Sequence, residues 1–405
     1  MLSNDHWLLP EGIEEILPDD AARLEALRRR VLDLFQTWGY RLVVTPFIEF
    51  IDALLTGTGH DLDVQTFKLI DQMSGRMLGV RADMTPQVAR IDARHSDPDL
   101  PARLCYLGTV LHTLSDRLET SRSPMQVGAE LYGHAGLSSD VEIICLALEM
   151  LALAGLQNVH LDLGHVGIYR ALAAEAQLDA IAERELFEIL QCKAKPELAE
   201  LIASLEIDQG PSERLSGLID LNGGFEVFDL ARRHLQGSGA AVIEALNELE
   251  QIATALSVKF PNLPIHFDLA ELRGYHYQTG IVFAAFVTGY GREVARGGRY
   301  NGIGKVFGRE RPATGFSSDL RVLLRLSVLD WAGPADMGAI FAPATEDITL
   351  DECIRDLRAR NRTVIRELAG QVKGPAEMGC VQQMEKVDGN WRLVPVPATP
   401  SGLRT

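Results

Sequence analysis

The chain has 405 residues, of which 46% are hydrophobic and 23% are charged. This composition is typical of a folded protein with two or three domains and excludes a disordered chain. Asp and Glu number 56 against 39 Lys and Arg, which gives a formal net charge of −17. Because capture of a phosphate backbone needs clustered Lys and Arg, the charge argues against a nucleic-acid partner.

Cysteine usage and the N-terminal residues indicate a cytoplasmic protein. The five cysteines are scattered and form no CxxC pair, so we expect no zinc site, and a low, odd count suits a reducing compartment. The N-terminus lacks a basic start followed by an apolar stretch, so we expect no signal peptide. No apolar run reaches the roughly 18 residues that span a bilayer, so we expect no membrane association.

The first 164 residues alternate between helical and strand patterns. The predicted elements are a helix that follows Asp19 and Asp20 and ends at Gly39, a buried strand over 40–44, a hairpin of 67–71 with 76–81, a helix over 84–94, strands over 103–112 and 124–132, a helix that is capped by 138–140 and runs to 154, and a strand over 159–164.

Residues 168–260 differ in character from the chain on either side. They are rich in Ala, Leu and Glu, and they contain 16 acidic and 8 basic residues, a balance of −8. Strand patterns return at 265–269, 277–287 and 293–296, and a helical pattern follows over 318–329. The order predicts an α+β fold in which a helical domain is inserted into one antiparallel sheet.

A small α/β unit is predicted after a linker at 331–334. Its elements are a strand over 339–342, a helix over 350–360, a strand over 363–367, and a hairpin over 384–396 that turns at Asp388-Gly389. Residues 331–405 contain 10 acidic and 9 basic residues. The negative charge therefore lies mainly upstream of this unit.

Polar residues stand where a plain sheet would be apolar. In VRADMTPQVAR (80–90), Asp83 and Thr85 follow a strand at a spacing of two, so both can face one side of the sheet. They could equally cap the helix that follows. In PMQVGAELYG (124–133), Gln126, Gly128 and Glu130 alternate along one face. This stripe fits either a ligand lying across the sheet or a solvated face.

Three further segments contain residues that are suited to ligand binding, but none of them identifies a ligand. LRGYHYQTGIVFAAF (272–286) places Arg273 before three ring side chains, and Arg suits a carboxylate or phosphate. The alternative is a basic loop followed by aromatic packing. ARGGRYNGIG (295–304) allows a tight turn but is not a dinucleotide fingerprint. RPATGFSSDLRVLL (311–324) reads as a strand that runs into a helix.

Taken in order, these segments together with PEGIEEILP, GYRLVVTPFIE and YLGTVLH resemble the catalytic core of class II histidyl-tRNA synthetases over about residues 8–330. The resemblance implies a six-stranded antiparallel sheet flanked by helices and a dimer formed through the first motif, around Pro46. It also implies core segments at 1–167 and 261–330, a helical insertion at 168–260, and a C-terminal domain at 331–405 in place of the anticodon-binding domain.

The nucleotide motifs depart from that family. His112 stands where the family has the Arg of its second motif, and Leu114 stands where it has a Glu. Val322 occupies the position of the third motif's Arg, and Arg321 falls one residue early, which on a helix turns a side chain by about 100°. An ATP triphosphate needs permanently charged, forked donors. The changes predict that the chain forms no adenylate. We therefore expect no catalytic residues, and separately we expect no cofactor and no metal.

The amino-acid half of the family's pocket is better preserved. By resemblance, Asp83, Thr85 and Gln126 match positions that hold the substrate's α-amino group, although Asp83 replaces a longer Glu. The remaining matches are Glu130 for the imidazole, Arg273 for the carboxylate, and Tyr277 and Tyr300. Gln278 replaces the second Tyr of the family's run, and a Gln can still hydrogen-bond an imidazole nitrogen.

A synthetase core without ATP arginines or an RNA-binding surface is the pattern of the regulatory subunits of ATP phosphoribosyltransferase. Membership implies a non-catalytic subunit that activates a short-form catalytic subunit and confers feedback inhibition by histidine, with no tRNA partner. The alternatives are a divergent synthetase or histidine-adenylating paralogue, and a histidine sensor for another partner.

Overall fold

The computed structural model describes residues 8–55, 60–114, 121–271, 278–331 and 338–397. The chain divides into two compact units, Met1–Trp331 and Ala332–Thr405. Within the described residues, no helix combines the length and apolar character needed to cross a membrane.

The first unit combines helices with mostly short strands. Its helices are α1 (Pro18–Thr37), α2 (Ile51–Leu54), α3 (His60–Gln65), α4 (Thr85–His95), α5 (Leu137–Leu153), α6 (Val166–Glu175), α7 (Ala180–Gln191), α8 (Lys195–Ser204), α9 (Gln209–Gly217), α10 (Glu226–His234), α11 (Ala240–Lys259) and α12 (Leu320–Leu326). Its strands are β1 (Arg41–Leu42), β2 (Ile48–Phe50), β3 (Lys68–Ile70), β4 (Met77–Val80), β5 (Ala102–Thr109), β6 (Met125–Tyr132), β7 (Val159–His165), β8 (Asn222–Gly223), β9 (Ile265–Asp268), β10 (Ile281–Val287), β11 (Glu293–Arg299) and β12 (Ala313–Asp319).

A nine-stranded sheet organises the first unit, in the order β1-β5-β6-β12-β11-β10-β7-β9-β8. The six strands from β5 to β7 in this order pair antiparallel throughout. The predicted antiparallel sheet is therefore confirmed. The short β1 pairs parallel with β5 at one edge, and β9 pairs parallel with β7 beside the other edge strand, β8.

Helices α1 and α5 cover the apolar face of this sheet. The face includes Val127 and Leu131 of β6, each no more than 1% exposed. Phe35 of α1 meets Phe316 of β12 edge to face, with ring centroids 6.0 Å apart. Gly39 follows α1 at a φ of +83°, a conformation that glycine adopts without strain. The predicted first helix is confirmed, and its burial leaves the opposite face of the sheet for polar residues.

Two local predictions are wrong. The buried strand expected over 40–44 is only β1, and Leu42 and Val44 are 48% and 85% exposed. An edge strand is covered on one side only, so its outward side chains find no packing partner. The cap expected at 138–140 is absent, because Asp140 forms a buried ion pair with Arg299. Leaving a buried guanidinium without its carboxylate costs more free energy than leaving a helix terminus without a side-chain cap.

The first unit also contains a separate three-stranded sheet of order β2-β4-β3. Strands β3 and β4 pair antiparallel, which confirms the predicted hairpin. Gly75 in the connecting turn has a φ of +70°. The helix predicted to follow at 84–94 is confirmed as α4.

The second unit is a small α/β structure, as predicted. Its elements are β13 (Ala339–Ala342), α13 (Ile348–Ala359), β14 (Val364–Arg366), β15 (Cys380–Val387) and β16 (Asn390–Pro395). The strand order is β14-β13-β15-β16, and α13 buries Leu350 and Ile354 in its core. Asp388 and Gly389 both have positive φ in the β15–β16 turn, as a two-residue hairpin of this sequence requires.

Candidate ligand-binding site

The polar face of the large sheet centres on the carboxylate of Glu130, in the middle of β6. Glu130 is only 1% exposed. Its Oε1 atom accepts hydrogen bonds from the hydroxyls of Tyr106 at 3.0 Å and Thr85 at 3.2 Å. Its Oε2 atom accepts a hydrogen bond from the hydroxyl of Tyr300, and the Tyr132 hydroxyl lies 3.2 Å from that of Tyr300. The burial excludes the solvated-face interpretation at this position.

Burial controls the protonation of this carboxyl group. Removal from water raises the pKa of Glu130 to about 8, although the hydroxyls of Tyr300 and Tyr106 act in the opposite direction. Burial likewise raises the pKa values of Tyr106 and Tyr300 well above their usual range. The tyrosines are therefore hydrogen-bond donors at neutral pH, while Glu130 is poised to exchange a proton.

A second polar group adjoins Glu130 through Thr85. The Gln126 amide donates to Oδ1 of Asp83 at 2.8 Å and accepts from the backbone N–H of Met84 at 2.9 Å. Asp83 also accepts from the backbone N–H of Thr85 at 3.0 Å. Asp83 therefore both stabilises the start of α4, as the capping alternative proposed, and stands in the polar cluster. The Asp83 carboxylate and the side-chain oxygens of Thr85 and Gln126 therefore lie together beside Glu130.

Glycines form the floor beneath these side chains. Strand register places Gly315 of β12 opposite Glu130, and Gly298 of β11 opposite Gly315. A Cβ atom at Gly315 would overlap Oε2 of Glu130, and one at Gly128 would overlap the Tyr106 hydroxyl. We call Gly128, Gly298 and Gly315 the glycine floor. The absence of side chains there leaves room for the buried polar groups of the cluster.

The structure brings together five of the seven residues predicted to bind a ligand. These are Asp83, Thr85, Gln126, Glu130 and Tyr300. Arg273 and Tyr277 lie outside the described residues. Sequence reasoning missed Tyr106 and Tyr132, whose hydroxyls complete the cluster. Cross-strand register puts Tyr106 beside Gly128, and no local pattern in the sequence reports that register.

The side chains at the two positions that match the family's nucleotide-binding arginines contact other parts of the protein. The Nε2 atom of His112 lies 3.0 Å from the carbonyl oxygen of Ala82. Val322 is 6% exposed and packs in the main core. Neither residue carries a guanidinium, the forked donor that the family has at these two positions.

Arg321, one residue earlier, has other partners. Its guanidinium donates to Oε2 of Glu14 at 2.6 Å and to the carbonyl oxygen of Ser123 at 3.2 Å. Asp319 accepts from the backbone N–H groups of Met125 and Arg321 and so caps α12. The offset Arg therefore links α12 to the N-terminal segment.

Comparison with known proteins defines the class of the first unit. Residues 12–323 match the family profile described as histidyl-tRNA synthetase. A solved structure from Bacillus halodurans, titled as an ATP phosphoribosyltransferase regulatory subunit/histidyl-tRNA synthetase, aligns with a TM-score of 0.81 and 27% identity over 95% of this chain and 98% of that one. Histidyl-tRNA synthetase from Nostoc shares the fold at a TM-score of 0.73 and 18% identity, over 96% of this chain and 97% of that one. The fold is that of a class II histidyl-tRNA synthetase.

Further matches identify the family. Residues 337–394 match the profile described as ATP phosphoribosyltransferase subunit HisZ C-terminal domain. A curated ATP phosphoribosyltransferase regulatory subunit from Methylococcus capsulatus is 60% identical over 97% of each chain. Its counterpart from Thioalkalivibrio sulfidiphilus is 57% identical over 94% of this chain and 96% of that one. The chain belongs to the family of ATP phosphoribosyltransferase regulatory subunits, which confirms the prediction made from the motifs.

Proposed function

We propose that this chain is a non-catalytic subunit that activates a short-form ATP phosphoribosyltransferase and confers feedback inhibition by histidine on the first step of histidine biosynthesis. The observation that carries the proposal is the contrast between a buried, hydrogen-bonded amino-acid pocket around Glu130 and nucleotide positions occupied by His112 and Val322. Family membership supplies the identity of the catalytic partner.

Within this proposal, histidine binds on the glycine floor. The Asp83, Thr85 and Gln126 cluster holds the α-amino group, and Glu130 receives an imidazole N–H. Arg273, Tyr277 and Tyr300 complete the site. Support comes from the carboxylate and amide oxygens gathered beside Thr85 and from the hydroxyl donors that surround Glu130. Histidine then regulates by binding one arrangement of the complex more tightly than another, since only differential affinity shifts an equilibrium.

Aminoacylation is not part of the proposed function. Neither Val322, which is buried, nor His112, which is half-buried, offers the forked and permanently charged donor that a triphosphate needs. The acidic 168–260 segment and the near-neutral 331–405 segment are poor surfaces for RNA. We therefore propose that the insertion and the C-terminal domain serve protein contacts, and that the subunit works in the cytoplasm without tRNA.

The proposal includes a dimer formed through the first motif. Leu42, Val44, Phe47 and Ile48 flank Pro46 and are each at least 43% exposed. Grouped apolar exposure of this kind marks an interaction surface. Substitution of Val44 by Glu is expected to lower the mass measured by light scattering, and an unchanged mass would place the dimer contact elsewhere.

Steady-state assays test the regulatory function. We expect the short-form catalytic subunit to gain activity when the full-length chain is added, and to become inhibitable by histidine only in its presence. No change in rate or in histidine inhibition would overturn the proposal. Histidine-dependent pyrophosphate exchange by the chain alone would instead support the alternative of a divergent adenylating enzyme.

A further inference from the structure

Arg299 and Asp140 form a buried ion pair on the helix-covered side of the large sheet. Their side chains are 8% and 2% exposed, and Nε of Arg299 donates to Oδ2 of Asp140 at 3.0 Å. The other guanidinium nitrogens donate to the carbonyl oxygens of His134 at 3.2 Å and Gly136 at 3.3 Å, and to the hydroxyl of Ser139 at 2.8 Å. A planar fork with this many partners is held in one orientation. The end of β11 is therefore fixed against α5.

Tyr300 directly follows Arg299 and contacts the opposite side of the sheet. Consecutive side chains of an extended chain point to opposite faces. Arg299 reaches α5, which covers the apolar face, whereas the Tyr300 hydroxyl donates to Oε2 of Glu130 on the polar face. The N–H of Tyr300 donates to the carbonyl oxygen of Ala313 at 2.8 Å, so the chain stays paired with β12 at this point. A shift of the Arg299 side chain therefore moves the Tyr300 hydroxyl relative to the Glu130 carboxyl.

Helix α11 reaches the same ion pair through His165, which ends β7 and is 4% exposed. The Nδ1 atom of His165 accepts a hydrogen bond from the N–H of Gly167 at 3.2 Å, so the ring proton lies on Nε2. The Nε2 atom donates to Oε2 of Glu248 in α11 at 3.2 Å. This hydrogen bond lowers the pKa of Glu248, and the positive charge of Arg299 acts in the same direction. The two pairs therefore interact electrostatically.

We call Asp140, His165, Glu248 and Arg299 the charge chain. Its members come from four different elements, α5, β7, α11 and β11. Helix α11 is the last helix of the 168–260 segment, and it packs on α5, α6 and β7. Replacement of a buried ion pair by apolar side chains of similar volume is often neutral or stabilising. Stability alone therefore does not account for the charge chain.

We propose that Arg299 is a positioning residue for the ligand pocket, and that the charge chain couples α11 to the Tyr300 hydroxyl on the other face of the sheet. This inference rests on the proposed function, which supplies histidine as the ligand and protein contacts as the role of the 168–260 segment. A partner that shifts α11 changes the place of the Tyr300 hydroxyl and hence the affinity for histidine. By linkage, histidine changes the affinity for that partner by the same factor.

A double-mutant cycle with Tyr300→Phe tests the coupling, with calorimetric titration of L-histidine into the full chain as the measurement. We expect Arg299→Lys to weaken histidine binding about tenfold and Glu248→Gln about threefold, because a displaced hydroxyl no longer meets the Glu130 carboxyl. Both losses should disappear when Tyr300→Phe has already removed the hydroxyl. A merely structural role would instead give the same loss in both backgrounds.

Glu248→Gln keeps the test sharp if Arg299→Lys does not fold. The Glu248 side chain is 49% exposed, and the amide oxygen of a Gln still accepts a hydrogen bond from His165. The variant therefore removes the charge and leaves the packing of α11 intact.

Fluorine NMR of the chain labelled with 3-fluorotyrosine follows the Tyr300 side chain without any ligand, and the Tyr300→Phe spectrum identifies its signal. We expect this signal to shift in Arg299→Lys and in Glu248→Gln. Glu250→Gln is the matched control, because Glu250 also lies in α11, is 34% exposed, and pairs with Arg232 of α10 rather than with the charge chain. It should leave the Tyr300 signal in place and the histidine affinity within about twofold.

The outcomes separate this inference from the proposed function. Equal losses of histidine affinity with and without the Tyr300 hydroxyl, or an unshifted Tyr300 signal in both variants, would overturn the inference and leave the histidine site standing. A shift of the same size in Glu250→Gln would also overturn it. Failure of the unsubstituted chain to bind histidine, alone or with the catalytic subunit, would overturn the proposed function, and the fluorine signals would still decide whether α11 is coupled to Tyr300.

Discussion

The positions that match the amino-acid half of the family's pocket differ in structure from those that match its nucleotide half. In the amino-acid half, Glu130 stays buried among hydroxyl donors above glycines, although burial disfavours its charge. In the nucleotide half, Val322 is part of the apolar core and Arg321 is paired with Glu14. A buried carboxylate is costly to keep. Its retention beside positions that have been absorbed into ordinary packing supports the proposal that the pocket keeps an amino-acid ligand and has lost the nucleotide.

The most severe test of this comparison restores the lost arginines. Val322→Arg should lower the free energy of unfolding by about 3–5 kcal/mol, because a position that is 6% exposed would hold an uncompensated charge. Urea denaturation measures this change. Combined with His112→Arg, it should still give no histidine-dependent pyrophosphate exchange.

Val328→Arg is the control for that experiment, since Val328 is 61% exposed just beyond α12. It should change the unfolding free energy by about 0.5 kcal/mol or less. A stable Val322→Arg, His112→Arg chain with pyrophosphate exchange would show that the nucleotide half is dormant rather than absorbed.

The glycine floor offers a test of the amino-acid half. Gly315→Ala should lower the unfolding free energy by about 1–3 kcal/mol, because the new Cβ overlaps Oε2 of Glu130 and must displace it. Histidine affinity, measured by calorimetry, should fall tenfold or more. Gly291→Ala is the control, because a Cβ there meets no atom within 4 Å. Normal histidine affinity in Gly315→Ala would separate Glu130 from ligand binding.

The pKa of Glu130 predicts a pH dependence with a definite sign. Burial raises this pKa from 4.5 to about 8, so the folded chain keeps a proton that the unfolded chain has lost. The contribution of Glu130 to stability is therefore greatest below about pH 4.5 and is lost as the pH rises towards 8. Relative to the unsubstituted chain, Glu130→Gln should gain roughly 1 kcal/mol per pH unit across this window. Urea denaturation at three pH values between 5.5 and 7.5 measures the slope.

Glu142→Gln provides the comparison for that slope. Burial disfavours the Glu142 carboxylate, but hydrogen bonds from Arg103 and Tyr40 outweigh it and hold its pKa below 4.5. Its stabilising effect is complete above pH 4.5, so the deficit of the variant should be constant over the same range. A flat difference for Glu130→Gln as well would mean that Glu130 is ionised in the folded chain.

The sequence predicts local elements better than it predicts their partners. Periodicity was sufficient for α1 and for the β15–β16 hairpin, because both depend on residues close in sequence. The cap predicted at Ser139 and Asp140 is wrong, because the local sequence does not show that Asp140 pairs with Arg299, which lies 159 positions further along the chain. Burial of an ion pair is a tertiary event, and local propensity carries no information about it.

The same limit applies to the site. The alternation along β6 identified Gln126 and Glu130, because side chains in a strand alternate between faces. Tyr106 was missed because its place depends on how β5 registers against β6. The resemblance to a known family supplied the ligand, which no pattern of polar residues could name.

The smallest expected effect concerns Arg321, which directly precedes Val322 in the chain. Arg321 is 19% exposed and Glu14 is 50% exposed, so Arg321→Ala should lower the unfolding free energy by about 0.5–1 kcal/mol. Histidine affinity should not change, because the guanidinium bonds to Glu14 and Ser123 rather than to the Glu130 cluster. A double-mutant cycle with Glu14→Ala isolates the pair and should give a coupling below about 1 kcal/mol. A loss of histidine affinity in Arg321→Ala would mean that the two halves of the pocket are still coupled, since the hydrogen bonds of this side chain to the described residues go to Glu14, Ser121 and Ser123.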